Sequence, residues 1–211
     1  MTLPVPPARL PPPNSETLPA GAALFWVHRS DLEPAAFNPG LGADGRFSPI
    51  TDRAGAVVPS LYAATSPAAA AFETIFHDVL PGPFASVPDA MLQARRASRL
   101  RTRRALTIVQ LHAPDLRRWS LTPDGLIATP SRDYTVTARW AEAIHRQFAD
   151  MHGLVWTSNR CDPERCYLFF GNRVQAADFD IAESAGLGSA GPARDAVVAA
   201  ARRAGIVIVP A

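Results

Sequence analysis

The sequence predicts an α+β fold: a mixed, mostly antiparallel sheet with flanking helices. Three observations predict it. Apolar runs of strand length crowd the middle of the chain. Helical-period stripes interrupt them irregularly, without the strict alternation of a βαβ array. A hydrophobic content of 47% with 19% charged residues is that of a globular chain, and 211 residues suffice for one domain with a real core.

Seven of the 21 prolines fall within residues 1–20, so that stretch reads as an extended or mobile arm outside the packed fold. Residues 21–211 are then a single domain. The run 23–27 has strand length and ends in the polar pair His28-Arg29. A loop over 38–49, rich in Asn, Gly and Pro, carries Arg46, Phe47 and Ser48. Residues 60–64 read as a strand. Ser66-Pro67 follows as an N-cap with proline at the first helical position. Phe72, Ile75, Phe76 and Val79 then recur at i, i+3, i+4 and i+7, which predicts a helix reaching Val79. Glu73 lies about 100° from Phe72 around that helix, on the flank of the stripe.

Residues 95–104 hold six arginines and read as a solvated loop or helix face ahead of a strand over 106–111. Trp140, Ile144, Phe148 and Met151 predict a second amphipathic helix over 134–151, with Gly153 as its C-cap. Residues 154–158 and 166–170 read as two more strands joined by a polar connector. A helix over 194–203 and a short strand over 206–209 complete the chain.

All 21 basic residues are arginine. Without lysine there is no Schiff-base amine, no P-loop lysine and no lysine general base. Every cation is a planar fork, suited to carboxylates and phosphates and useless as a proton carrier. Against 19 acids the net charge is only +2, so no overall basic field points to nucleic acid. No stretch reaches the ~18 apolar residues that span a bilayer, and the start has no signal-peptide core, so the expected location is cytoplasmic. Cys161 and Cys166 fit that compartment as reduced, structural thiols. No zinc-helix, glycine-loop or nucleophile-elbow motif is present.

What remains is a set of polar residues at strand ends and on a helix flank: Arg29, Arg46, Tyr62, Glu73 and Ser158. Taken singly, each has an ordinary structural reading as a cap, a solvated charge, a core edge or a turn. Their order changes the weight. Phe25-Trp26-Val27-His28-Arg29, then Gly45-Arg46-Phe47-Ser48, Leu61-Tyr62-Ala63, Ala71-Phe72-Glu73-Thr74 and Gly153-Leu154-Val155-Trp156-Thr157-Ser158 resemble the RES domain, a family named for its Arg, Glu and Ser positions. Tyr134, Trp140-Ala141 and Ile144-His145 add a supporting match. The resemblance spans residues 24–170.

The resemblance implies a toxin-type enzyme with an ADP-ribosyltransferase-like fold that acts on NAD⁺. Members degrade it, some by phosphorolysis to ADP-ribose 1″-phosphate and nicotinamide, and others have been assigned ADP-ribosyl transfer to protein. The implied partner is an Xre-like helix-turn-helix antitoxin whose C-terminal part blocks the active site. By carry-over, Glu73, Arg29 and Ser158 are the catalytic positions, and Arg29, Arg46, Tyr62 and Ser158 bind NAD⁺. NAD⁺ and inorganic phosphate are substrates, and no cofactor or metal is expected.

The residue chemistry is consistent with that implication. Nicotinamide leaves as a neutral base, and the difficulty is the ribosyl oxocarbenium left behind. A fixed carboxylate such as Glu73 stabilises that charge more in the transition state than in the ground state. Arg29 and Arg46 offer paired donors to the pyrophosphate or to an attacking phosphate. Tyr62 offers an aromatic face, and Ser158 a hydroxyl for a carboxamide or ribose. NAD⁺ hydrolysis or protein ADP-ribosylation at the same site are the enzymatic alternatives. The non-enzymatic alternative is a binding module for nucleic acid or a partner protein, built on the arginines of 95–104. His28 and His77 receive no catalytic role.

Overall fold

The apolar runs pair into one eight-stranded sheet in a computed structural model that describes residues 3–42 and 44–210. In chain order the elements are β1 (Ser15–Leu18), β2 (Ala23–Arg29), β3 (Ile50–Thr51), β4 (Val57–Val58), β5 (Ser60–Ala64), α1 (Pro67–Phe72), β6 (Ser86–Pro88), α2 (Asp89–Gln93), β7 (Arg95–Thr102), β8 (Leu106–Gln110), α3 (Ala113–Leu116), α4 (Tyr134–Gln147), β9 (Gly153–Thr157), β10 (Arg165–Phe170), β11 (Phe179–Gly186), α5 (Pro192–Arg203) and β12 (Val207–Val209). The large sheet runs β1-β8-β9-β10-β5-β2-β7-β11. Only β8 and β9 pair in parallel there; every other neighbour is antiparallel. This is the mixed, mostly antiparallel sheet with flanking helices that the sequence predicts.

The period-2 alternation of each strand sorts its side chains onto two faces. On one face lie Val27 of β2, Ala64 of β5, Leu154 and Trp156 of β9 and Leu168 of β10, packed with α1, α4 and α5 in the larger apolar core. On the other lie Leu24, Leu61, Val155 and Phe169, in a smaller core. The functional candidates belong to the first face. Arg29 follows Val27 by two, Tyr62 precedes Ala64 by two, and Ser158 follows Trp156 by two.

Four local readings are corrected. The proline-rich segment is extended but docked: β1 pairs with β8, and Leu10 is buried. Proline removes donors and leaves carbonyls free to accept. The indole N–H groups of Trp140 and Trp119 donate to the carbonyls of Pro4 and Pro11 at 2.7 and 3.0 Å, so these buried tryptophans hold the arm down.

The first predicted helix stops at Phe72 instead of reaching Val79. Ser66 caps it as expected, accepting from the Ala69 N–H. At the far end Thr74 and Phe76 both donate their N–H to the Ala71 carbonyl, which breaks the i→i−4 ladder. The Thr74 hydroxyl takes the Ala70 carbonyl at 2.6 Å, the side-chain competition that disfavours threonine inside helices. Ile75 and Phe76 are buried all the same.

The arginine-rich stretch is strand β7, set between β2 and β11, because Ser98, Leu100 and Thr102 alternate inward between the arginines. Gly153 is no helix cap. It opens β9, where a Cβ would stand 2.1 Å from the Leu168 carbonyl oxygen, so only glycine lets β9 and β10 close at that point.

Candidate active site

Glu73 closes α1 as its C-cap residue, and its side chain is 18% exposed. Ser158 sits just past the end of β9 and is fully buried. Its Oγ donates to Glu73 Oε1 at 2.8 Å and accepts the backbone N–H groups of Arg160 and Cys161 at 3.2 and 3.1 Å. A hydroxyl has one proton to give, and here Glu73 receives it. Ser158 is therefore a positioning residue behind Glu73. In this arrangement its hydroxyl faces Glu73, and Ser158 is not among the residues that line the cavity described below. Arg160 NH1 stands 3.9 Å from Glu73 Oε2 and has no hydrogen-bond partner of its own.

Arg46 occupies the tip of a tight turn closed by Gly45 and Ser48, whose N–H and carbonyl bond at 2.8 Å. The Tyr62 hydroxyl locks that turn, accepting the Phe47 N–H and bonding Ser48 Oγ, each at 3.1 Å. A Cβ at position 45 would lie 2.9 Å from the same hydroxyl, which is why glycine precedes Arg46. Burial pushes the Tyr62 phenol up to about 12, so it stays protonated. The Arg46 guanidinium is buried. It donates to the Thr129 carbonyl and hydroxyl at 3.1 and 2.7 Å and to the Tyr134 hydroxyl at 3.3 Å, and lies 5.0 Å from the Tyr134 ring centre. Burial pulls its pKa below the ordinary arginine value, while the carboxylate of Glu73 acts in the opposite sense.

Arg29, Arg46, Tyr62 and Glu73 line one cavity of about 510 Å³, together with Trp26, His77, Arg95, Tyr134 and Trp156 among others. Arg29 stands at its mouth with its side chain 66% exposed, paired to Asp31. His77, given no catalytic role from the sequence, lines the same cavity. Its Nε2 meets the Tyr134 hydroxyl at 2.8 Å and its Nδ1 meets Asp78 at 2.7 Å, so it continues the polar chain that begins at Arg46. The spacing Glu73 to His77 was the available signal, although the two make no direct bond. Tyr134 was legible only as part of a motif, and Arg95 was hidden in what reads as a peripheral cluster.

The cleft contains no poised sulfur nucleophile. Burial raises the Cys166 thiol well above its ordinary value and the nearby Glu73 carboxylate adds to the effect; burial likewise raises Cys161. Both cysteines are free thiols. No group of three or more His, Cys, Asp or Glu side chains among the described residues is arranged to hold a metal. No helix among the described residues is long and apolar enough to cross a membrane.

Ser158→Ala is expected to lower kcat by about 10- to 100-fold with KM nearly unchanged, since it frees the carboxylate without touching substrate. The loss of a hydrogen bond to a charged group sets that scale. Steady-state kinetics check it, and in a Glu73→Gln background the same substitution should add almost nothing.

Fold and cleft together define an α+β protein built around a half-buried carboxylate that a serine orients and arginines flank. Residues 23–188 match the RES domain family, and the chain belongs to that family. Among solved structures, a chain of the M. tuberculosis MbcT-MbcA toxin-antitoxin complex superposes with a TM-score of 0.62 at 14% identity, covering 86% of this chain and 92% of that one. No curated protein matches by sequence.

Proposed function

We propose that this chain is a toxin-type enzyme that cleaves the nicotinamide-ribosyl bond of NAD⁺ by phosphorolysis. The observation that carries the reading is the placement of a serine-held carboxylate, Glu73, in one cavity with two arginine forks and aromatic walls. The C–N bond breaks, its electron pair returns to the pyridinium ring, and nicotinamide departs neutral without needing a proton. Phosphate oxygen forms the new bond to the ribosyl carbon, and the resulting phosphomonoester releases its proton to water. Glu73 stabilises the oxocarbenium between those events. Arg29 and Arg46 bind the anionic parts of the substrates, and Tyr62 holds the Arg46 turn.

The chemistry requires no cofactor beyond NAD⁺ and phosphate, and the reduced thiols suit the cytoplasm, where both substrates occur. The likeness to a chain from a toxin-antitoxin complex supports a cognate antitoxin; that it is of the Xre-like helix-turn-helix kind and covers the cleft is what the family resemblance implies. Against a nucleic-acid module stands the engagement of four of the six arginines of residues 95–104 within the chain. Arg96 donates to Ser184, Arg103 pairs with Asp180, Arg104 pairs with Asp178, and Arg99 covers the Phe25 ring.

Incubation with NAD⁺, with and without inorganic phosphate, and mass identification of products tests the reading. Phosphate-dependent ADP-ribose 1″-phosphate is the expected result. Free ADP-ribose irrespective of phosphate identifies a hydrolase, radiolabel on protein identifies a transferase, and no loss of NAD⁺ overturns the enzyme.

A further inference from the structure

Arg29 and Arg95 stand directly opposite one another where β2 and β7 pair. Cross-strand partners leave a sheet on the same face, and both side chains line the cavity. Two like charges so placed repel each other, an arrangement that costs stability unless an anion lies between or beside them. The chain supplies a provisional one. The Asp31 carboxylate takes Nε and NH2 of Arg29 at 3.0 and 2.5 Å, a two-point grip of the kind a phosphate receives. That hydrogen bond, with lesser help from the charges of Arg29 and Arg95, holds the Asp31 carboxyl below the usual carboxylate range.

Arg95 itself has no carboxylate within ion-pair distance among the described residues. Among the described residues its one side-chain hydrogen bond is a long one, 3.5 Å from NH1 to the Ala94 carbonyl. One fork is thus filled by a carboxylate and the other is open. Asp31 is 58% exposed, so a carboxylate displaced from Arg29 returns to water with little penalty. Arg46, by contrast, is buried beyond Tyr134 and commits three of its five N–H donors to Thr129 and Tyr134, which leaves Nε–H and one NH2 hydrogen uncommitted among the described residues.

We propose that Arg29 and Arg95 form a paired fork for the diphosphate of the dinucleotide, and that Asp31 occupies the Arg29 half until the diphosphate displaces it. The proposal rests on the NAD⁺ reading for the identity of the dinucleotide, but the fork is defined by its own geometry. Asp31 sets the selectivity of the mouth: a monovalent anion competes poorly with a tethered carboxylate, whereas a diphosphate engages both guanidinium groups together. Arg46 is left free to meet the smaller attacking anion deeper in the cleft.

The test uses inorganic pyrophosphate as a probe, by calorimetry on the purified full chain, alongside NAD⁺ kinetics. Arg95→Gln should weaken pyrophosphate binding and raise KM for NAD⁺ about 10-fold or more, the scale of one charge-assisted hydrogen-bonding group, with kcat within about 2-fold. Asp31→Asn should act in the opposite direction, tightening pyrophosphate and lowering KM. Arg101→Gln, on the exposed part of the same strand, is the control and should change neither.

Unchanged pyrophosphate affinity and KM in Arg95→Gln, or an Asp31→Asn variant that binds no tighter, overturns the fork. The two readings fail separately. NAD⁺ turnover that is indifferent to Arg95 removes the fork and leaves the enzyme. Pyrophosphate binding that depends on Arg95, in a chain that consumes no NAD⁺, removes the enzyme and leaves the fork.

Discussion

Glu73→Gln is expected to abolish NAD⁺ consumption, with kcat falling on the order of 10³-fold, while the melting temperature moves by only a few degrees. Glutamine has the same shape and keeps a carbonyl oxygen for the Ser158 hydroxyl, which donates to Oε1 at 2.8 Å. The substitution therefore removes charge and leaves geometry. A single preorganised electrostatic group removed from an active site costs about 10²–10³-fold in rate. The upper end applies here because nicotinamide leaves without acid help, so stabilisation of the ribosyl cation is the main service the protein renders. Stability should hold because the carboxylate's ion pair among the described residues, with Arg160 NH1, is a long one at 3.9 Å, and Glu73 remains partly open to the cleft. Single-turnover measurement of nicotinamide release, beside a thermal melt, checks both halves. Retention of activity within 10-fold of the wild type would remove Glu73 from the mechanism proposed here.

The candidate residues were legible in the sequence as polar groups at the ends of strand-length runs and on a helix flank, in an order that resembles one family. Within their own strands the period sets Arg29 with Val27, Tyr62 with Ala64 and Ser158 with Trp156, but apolar residues fill both faces of the sheet, so that these three share one face follows only from the strand pairing. Three things were hidden because they depend on pairing between distant segments. The opposition of Arg29 and Arg95 exists only through the β2–β7 register, and a one-residue slip would have turned one of them to the other face. The direction of the Ser158 hydroxyl depends on where α1 ends, and that end was read too far along because the buried Ile75 and Phe76 mimic a helical stripe after the helix has stopped. The docking of the proline arm depends on two tryptophan indoles more than 100 residues away, and neither end of that contact announces the other.

Composition misled at one point for a physical reason. Dense arginine normally marks solvent, yet in β7 Arg96 bonds to Ser184 of β11 and Arg99 covers the Phe25 ring while serine, leucine and threonine turn inward. The absence of lysine makes more sense beside Arg46. Its position demands a planar fork with several donors in fixed directions, and an ammonium group supplies only a compact charge.

Arg46→Lys is accordingly expected to be nearly as damaging as Arg46→Leu, each lowering kcat/KM for phosphate-dependent NAD⁺ cleavage by about 10²- to 10³-fold. Arg46 is 5% exposed, and its guanidinium spans Thr129 on one side and Tyr134 on the other. Lysine cannot hold both partners and still present donors to the cleft, so the charge alone does not rescue function. Stability should respond differently. Burial disfavours the Arg46 charge, as its lowered pKa records, and no carboxylate sits within ion-pair distance of it among the described residues. Leucine relieves that desolvation but forfeits three hydrogen bonds, two opposed effects of similar size, so the melt should shift little. An active-site arginine held at a cost to folding and needed for turnover is the pattern this predicts. Kinetics with phosphate varied at saturating NAD⁺, together with thermal melts of both variants, check it. A Lys variant that keeps near-normal turnover would show that charge alone suffices, and a large loss of stability in the Leu variant would show that Arg46 is there to hold the fold.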